Sequence, residues 1–324
     1  MGSRYLLRRL ASAFVTILLI VVINFILFRM MPGSPERILG RNPNVTPAVL
    51  QATRERWGLD KAVFPDQFLA YVTATAQGDL GFSFVARGRT VVEVLEQHLW
   101  PTLILFGLGE LIAIVVGLGL GAYTGWKRGG AVDYIGNGVS LILYSTPYFL
   151  LGMGMLLLFA TTLGWFPTFG MGTAGEHFAS PIDQLTDFLS HLALPLATVA
   201  LGLIGQYAIL MRSSVIETLN EDYVTTARAM GIRDRRVLRR HALPNAMLPA
   251  VTLVAINLGY VVAGAITVEV VFNWPGLGTL TVEALAARDY PVLQGIFVLL
   301  SVTVVLANFG ADLVYGVLDP RVKA

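Results

Sequence analysis

Six stretches of mostly apolar sequence, each 20 residues or longer, set the terms for any fold of this chain: Leu10–Met31, Thr102–Trp126, Ile135–Leu163, Leu192–Met211, Ala250–Phe272 and Val292–Val317. A helix rising about 1.5 Å per residue needs about 20 such residues to cross the hydrocarbon core of a bilayer. The backbone of a spanning segment must satisfy its own hydrogen bonds, so these runs predict helices. Composition agrees. The 324 residues are 55% hydrophobic and only 14% charged, where a soluble domain carries about 25% charge. The expected fold class is an all-α polytopic membrane protein with six transmembrane helices. The first run follows Arg4, Arg8 and Arg9, as a signal peptide would. Its apolar core is too long for one, and RMMPGSPERI offers no small-x-small cleavage site, so it reads as an uncleaved anchor.

Charge in the connecting segments assigns their sides. Short loops rich in Lys and Arg stay in the cytoplasm. With the N-terminus inside, the N-terminal tail, Lys127–Asp133, Arg212–Leu248 and the C-terminal tail carry fourteen cations against six acids. Pro32–Pro101, Gly164–His191 and Asn273–Pro291 then lie outside, with eight cations against twelve acids. The expected topology is N-in, C-in. The corresponding division is residues 1–31 (tail and first span), 32–101 (extracytoplasmic subdomain), 102–317 (transmembrane core of five helices with a cytoplasmic loop 212–248) and 318–324 (cytoplasmic tail). Two amphipathic patterns, PAVLQATRERWGLD and PDQFLAYVTATAQ, predict helices in the 32–101 subdomain. GDLGFSF predicts a turn there.

The loop between the fourth and fifth spans is the most informative segment. DYVTTARAMGIRDRRVLRRHALPNAMLP, from Asp222 to Pro249, holds six arginines. Glu221 and Asp222 favour a helix start through the helix dipole. Gly231 offers a left-handed stop, and Asp234 caps or begins a second helix over Arg235–Ala242. Pro244 is expected to end that second helix. Tyr223, Ala227 and Met230 share one face of the first helix, and Thr225, Thr226, Ala227 and Ala229 keep it slim enough to enter a partner's groove. A loop pinned beside lipid is a poor DNA reader. Arginines against anionic headgroups account for part of the charge. Docking on a cytoplasmic partner accounts for charge, glycine and small face together.

TTARAMGIRDRRVLRRHALP resembles the EAA loop of bacterial ATP-binding-cassette importer permeases. The family pattern of Glu-Ala-Ala, three residues, Gly, nine residues, Ile-x-Leu-Pro is met at Ala227, Gly231, Leu243 and Pro244. The chain departs from it at Thr225, Thr226 and His241. FRMMPGSP, WGLD, GDLGFSF, STPYF, HLALPLATVAL, FNWPGLG and RDYPVLQG follow in the order of the dipeptide, oligopeptide and nickel subgroup, in its B-type chain. The resemblance implies a multi-pass subunit of the bacterial inner membrane that forms half of a translocation pathway. It implies that Tyr223, Thr225, Thr226, Ala227, Arg228, Met230, Gly231, Arg235, His241, Leu243 and Pro244 belong to an ATPase-coupling loop. The implied partners are a second homologous permease, two ATPase subunits, an extracytoplasmic substrate-binding protein and membrane lipid, without nucleic acid. No cofactor is expected on this chain, since ATP and Mg belong to the ATPase subunits. The implied solutes are di- or oligopeptides, with nickel, haem or oligosaccharides as the subgroup's other solutes.

Candidate path residues come from polar and aromatic groups within the spans, which are costly unless they face protein or water. Glu110 lies deepest, roughly a dozen Å from the outer end of its span by the helical rise. It either faces a cavity or makes an interhelical hydrogen bond. Glu269 sits near the outer end of the fifth run. Tyr144, Pro147, Tyr148 and Phe149 cluster where Pro147 interrupts the third, and Asn24, Gln206 and Asn257 suit bridges between spans. Other function classes lack their chemistry. There is no cysteine, the four histidines have no metal-ligand spacing, and HExxH and the phosphate loop G-x-x-x-x-G-K-[ST] are missing. A stand-alone secondary transporter, the other class weighed, finds no internal repeat of spans to support it.

Overall fold

The structure, a computed structural model, describes residues 3–30, 61–86, 88–176, 178, 180–260 and 266–318, with 47, 48, 51 and 55. The first amphipathic pattern of the 32–101 segment and the tail beyond 318 lie largely outside that set. In chain order the helices are α1 (Ser3–Met30), α2 (Phe68–Ala76), α3 (Val91–Trp126), α4 (Ala131–Ser145) and α5 (Tyr148–Met155, continuing π-helically to Thr162). They continue with α6 (Pro181–Leu219), α7 (Asp222–Ala229), α8 (Asp234–Val237, continuing π-helically to Ala242) and α9 (Leu243–Tyr260). The last are α10 (Ile266–Phe272), α11 (Leu277–Ala287) and α12 (Tyr290–Leu318). Among the described residues the sole β pairing is an isolated bridge between Phe82 and Thr90.

Four described helices, α1, α3, α6 and α12, are long and apolar enough to cross a membrane, and α4 with α5 makes a fifth if the bent pair is one span. The third run breaks where Pro147 interrupts it. α4 and α5 meet at 103°. Thr146 is extended at ψ 121°, where a residue before proline is driven out of the helical region. The fifth run passes through 261–265, outside the described residues. α6 extends beyond the apolar run at both ends. Its start is set by Ser180, whose hydroxyl accepts the Asp183 N–H at 3.2 Å, followed by Pro181 at the first helical position.

The chain packs as two compact units, Met1–Thr102 with Pro275–Ala324, and Leu103–Trp274. In the first, Asn24 of α1 donates to Tyr71 Oη (3.1 Å) and to the Gln294 carbonyl of α12 (3.2 Å), the bridge expected of an amide in a span. Phe25 meets Phe68 of α2 edge-on at 5.3 Å. The GDLGFSF turn forms with Gly78 and Gly81 at positive φ. It is tied down by buried Asp289, which accepts from the Ser83 hydroxyl at 2.5 Å and the Phe84 N–H at 3.0 Å.

In the second unit, α4, α5 and α9 pack on α6. Small residues bring backbones together. A methyl group at Gly205 of α6 would stand 2.6 Å from the Ser140 carbonyl of α4, and one at Gly117 of α3 would stand 2.6 Å from Tyr207 Cβ. Gly109 and Gly121 make similar close approaches, whereas Gly107 and Gly119 face open space and pack nothing.

Candidate functional site

The arginine loop folds locally as its residues dictate. Glu221, extended, precedes α7, and Asp222 occupies its first turn. Gly231 takes φ +77°, the left-handed region that favours glycine. The turn is closed by the Gly231 N–H to the Arg228 carbonyl (2.9 Å) and the Ile232 N–H to the Ala227 carbonyl (3.3 Å). Asp234 begins α8 and accepts from Arg228 Nε at 3.3 Å.

Two expectations change. Pro244 does not end the second helix. It follows directly on the π-helical stretch Leu238–Ala242 in a helix that runs unbroken from Asp234 into the fifth run, and the wider π turn accommodates the missing N–H. Nor do Tyr223, Ala227 and Met230 form one exposed face. Ala227 is buried with Val224 and Val237, packed by Leu219 and Ile232. Of the four small residues of α7, Ala227 seats the loop on its own chain, while Thr225, Thr226 and Ala229 stay exposed. Thr225, Thr226, Arg228, Met230 and Arg235 are exposed and make up the outward surface. Tyr223 is partly exposed. Its hydroxyl accepts from Asn245 Nδ2 at 2.7 Å and lies 3.4 Å from the His241 carbonyl. The first contact joins α7 to the start of α9 and the second to the π-helical end of α8. His241 and Leu243 are half-buried and Pro244 is exposed.

Deeper in the same unit, Glu110 of α3 is buried and accepts a hydrogen bond from the Tyr207 hydroxyl of α6. Asn257 of α9 donates to that hydroxyl at 3.0 Å and to Gln206 Oε1 at 3.4 Å. Of the two readings of Glu110, this geometry is the interhelical hydrogen bond. The chain joins α3, α6 and α9, which matches the bridging role expected of Gln206 and Asn257. Tyr207 is fully buried. An aromatic inside an apolar run gives no sequence signal of which neighbour it will meet. Glu269 is fully buried on α10. Around Pro147, Tyr144 and Phe149 are exposed, while the Tyr148 ring lies over Gly202 of α6.

A second polar tie went unread in the sequence. Arg212 of α6 meets Asp133 of α4 through two bonds, Nε to Oδ1 at 2.6 Å and Nη2 to Oδ2 at 3.0 Å. The Gly129 N–H adds 3.0 Å to Asp133 Oδ2. Both residues had registered only as loop charges. Their placement at the ends of two long runs was the available signal. Among the described residues no group of three or more His, Asp or Glu side chains could hold a metal ion.

A family model described as binding-protein-dependent transport system inner membrane component matches residues 117–324, and the model of its N-terminal part matches residues 2–101. A Brucella suis biovar 1 protein bearing a peptide-permease name is 39% identical over 321 residues, 99% of each chain. The glutathione transport system permease protein of Pectobacterium atrosepticum is 35% identical over 320 residues, 98% of each chain. A solved inward-facing MetNI methionine ABC transporter shares the fold, with a TM-score of 0.56 at 19% identity over 70% of this chain and 97% of that one. With several apolar membrane-length helices carrying these matches, the chain belongs to the multi-pass inner membrane components of binding-protein-dependent transport systems, the permease subunits of ATP-binding-cassette importers, and within them to the peptide-permease subgroup.

Proposed function

We propose that this chain forms half of the translocation pathway of an ATP-driven importer of di- or oligopeptides. It couples to ATPase subunits through residues 222–244. The observation that carries this reading is the seated loop. Val224, Ala227 and Val237 anchor two short helices on the chain's own core, while Thr225, Thr226, Met230 and Arg235 stand outward for a partner. Short helices are marginal alone and persist when packed, so the inner face fixes what the outer face presents.

The peptide solute is supported by the names of the Brucella suis and Pectobacterium atrosepticum relatives. The complete assembly in this reading has a second permease, two ATPase subunits that bind ATP and Mg, and an extracytoplasmic binding protein. It sits in a bacterial inner membrane. The chain has six spans, N-in and C-in, divided as 1–31, 32–101, 102–317 and 318–324. Glu110, Tyr144, Pro147, Tyr148, Phe149 and Glu269 stay as path candidates for another conformational state.

Purification of the chain with its copurifying subunits and reconstitution in vesicles tests this. Uptake of labelled dialanine or glutathione is expected to require ATP and the binding protein. Transport by the chain alone, without ATP, would sink it.

A further inference from the structure

Resting on the importer reading, we propose that the Asp133–Arg212 ion pair is the joint through which movement of the 222–244 loop reaches the bent helix pair α4–α5. Arg212 and Asp133 are positioning residues for transport. The loop is seated on the end of α6 through Leu219, which packs on Val224, Ala227 and Val237. Arg212 lies seven residues earlier on the same helix, two turns in from that seat. Across from it, Asp133 stands in the first turn of α4, and α4 leads to the 103° break before α5.

A charge-assisted bidentate guanidinium–carboxylate pair fixes direction as well as distance. The setting makes it stiff. The Asp133 side chain is 4% exposed and that of Arg212 25%, so water competes weakly for the carboxylate. Gly129 holds the same carboxylate from the loop side. Beside the pair α3 also closes on α6: a methyl group at Gly125 of α3 would stand 2.9 Å from the Arg212 carbonyl. Farther along α4, Gly205 admits the Ser140 carbonyl. Apolar packing alone lets one helix slide along or roll on another. The ion pair removes that freedom at the end nearest the loop. A displacement of α6 by the loop is then carried by α4 and turned at Pro147 into motion of α5.

The test uses the full complex, with spin labels on cysteines placed at Leu157 and Leu185, both exposed and both in a chain without native cysteine. Their distance is read with and without a non-hydrolysable ATP analogue. A nucleotide-dependent shift is expected in the parent, lost in Asp133→Asn at unchanged complex yield, and restored in the charge swap Asp133→Arg with Arg212→Asp. A full shift retained in Asp133→Asn would overturn the joint alone. So would loss of the assembled complex in Asp133→Asn that the swap does not repair, because the pair would then serve folding only. A parent distance blind to nucleotide would overturn the ATP-driven reading itself, and the joint with it.

Discussion

Gly231 has open space where a side chain would stand, so its left-handed φ, not crowding, makes it glycine. Gly231→Val is expected to strain the turn by about 1–2 kcal/mol or more and to reduce copurifying ATPase and stimulated hydrolysis. Gly231→Asn, which tolerates that region, is expected to be milder. Pull-down yield and hydrolysis rate, measured together, check the pair. Tyr207→Phe removes the hydroxyl donor to buried Glu110 and one of the acceptors of Asn257. A cost of about 1–3 kcal/mol is expected, read as a lowered melting temperature in detergent. Glu110→Gln keeps an acceptor for the hydroxyl and is expected to melt nearer the parent. An equal loss in both would count against the hydrogen-bonded chain. The turn glycine and the Asp234 start were legible because both depend on neighbours within a few residues. Burial of Ala227 was not, since Val237 and Leu219, brought together only by folding, decide which side of α7 faces inward.

At the scale of elements, the close approach of α4 and α6 yields a sharp contrast. Gly205→Ala places a methyl group against the Ser140 carbonyl and the Tyr144 N–H. Overpacking of that kind costs about 1–3 kcal/mol, so loss of folded, monodisperse protein is expected on size exclusion after heating. Gly138→Ala on α4 meets nothing within 4 Å and is expected to be neutral. Similar melting curves for the two would contradict the packing described. The length of the apolar runs gave the existence of α1, α3, α6 and α12. It did not give their ends, because Ser180 and Pro181 start α6 well outside the apolar run. The break in the third run was foreshadowed by Pro147. Its 103° angle was not, because it depends on what α5 packs against, including the Tyr148 ring on Gly202. Asp133 and Arg212 escaped notice for a related reason: charge counts assign a side of the membrane, not a partner.

For the whole molecule, orientation is the property that charge asymmetry decides. In a chain without cysteine, a single Cys at Gln77 is expected to react with an impermeant thiol reagent applied to intact cells. One at Arg235 is expected to react only after permeabilisation. The opposite pattern would invert the topology and put the arginine loop out of reach of any cytoplasmic ATPase. α6 carries a further consequence. Its 39 residues make a rod about 58 Å long at the helical rise, against a hydrocarbon core about 30 Å thick. Only Leu192–Met211 of it is apolar, about 30 Å at the same rise, so the rod protrudes at both ends. The eight residues from Arg212 to Leu219 lift the seat of the loop about 12 Å clear of the hydrocarbon.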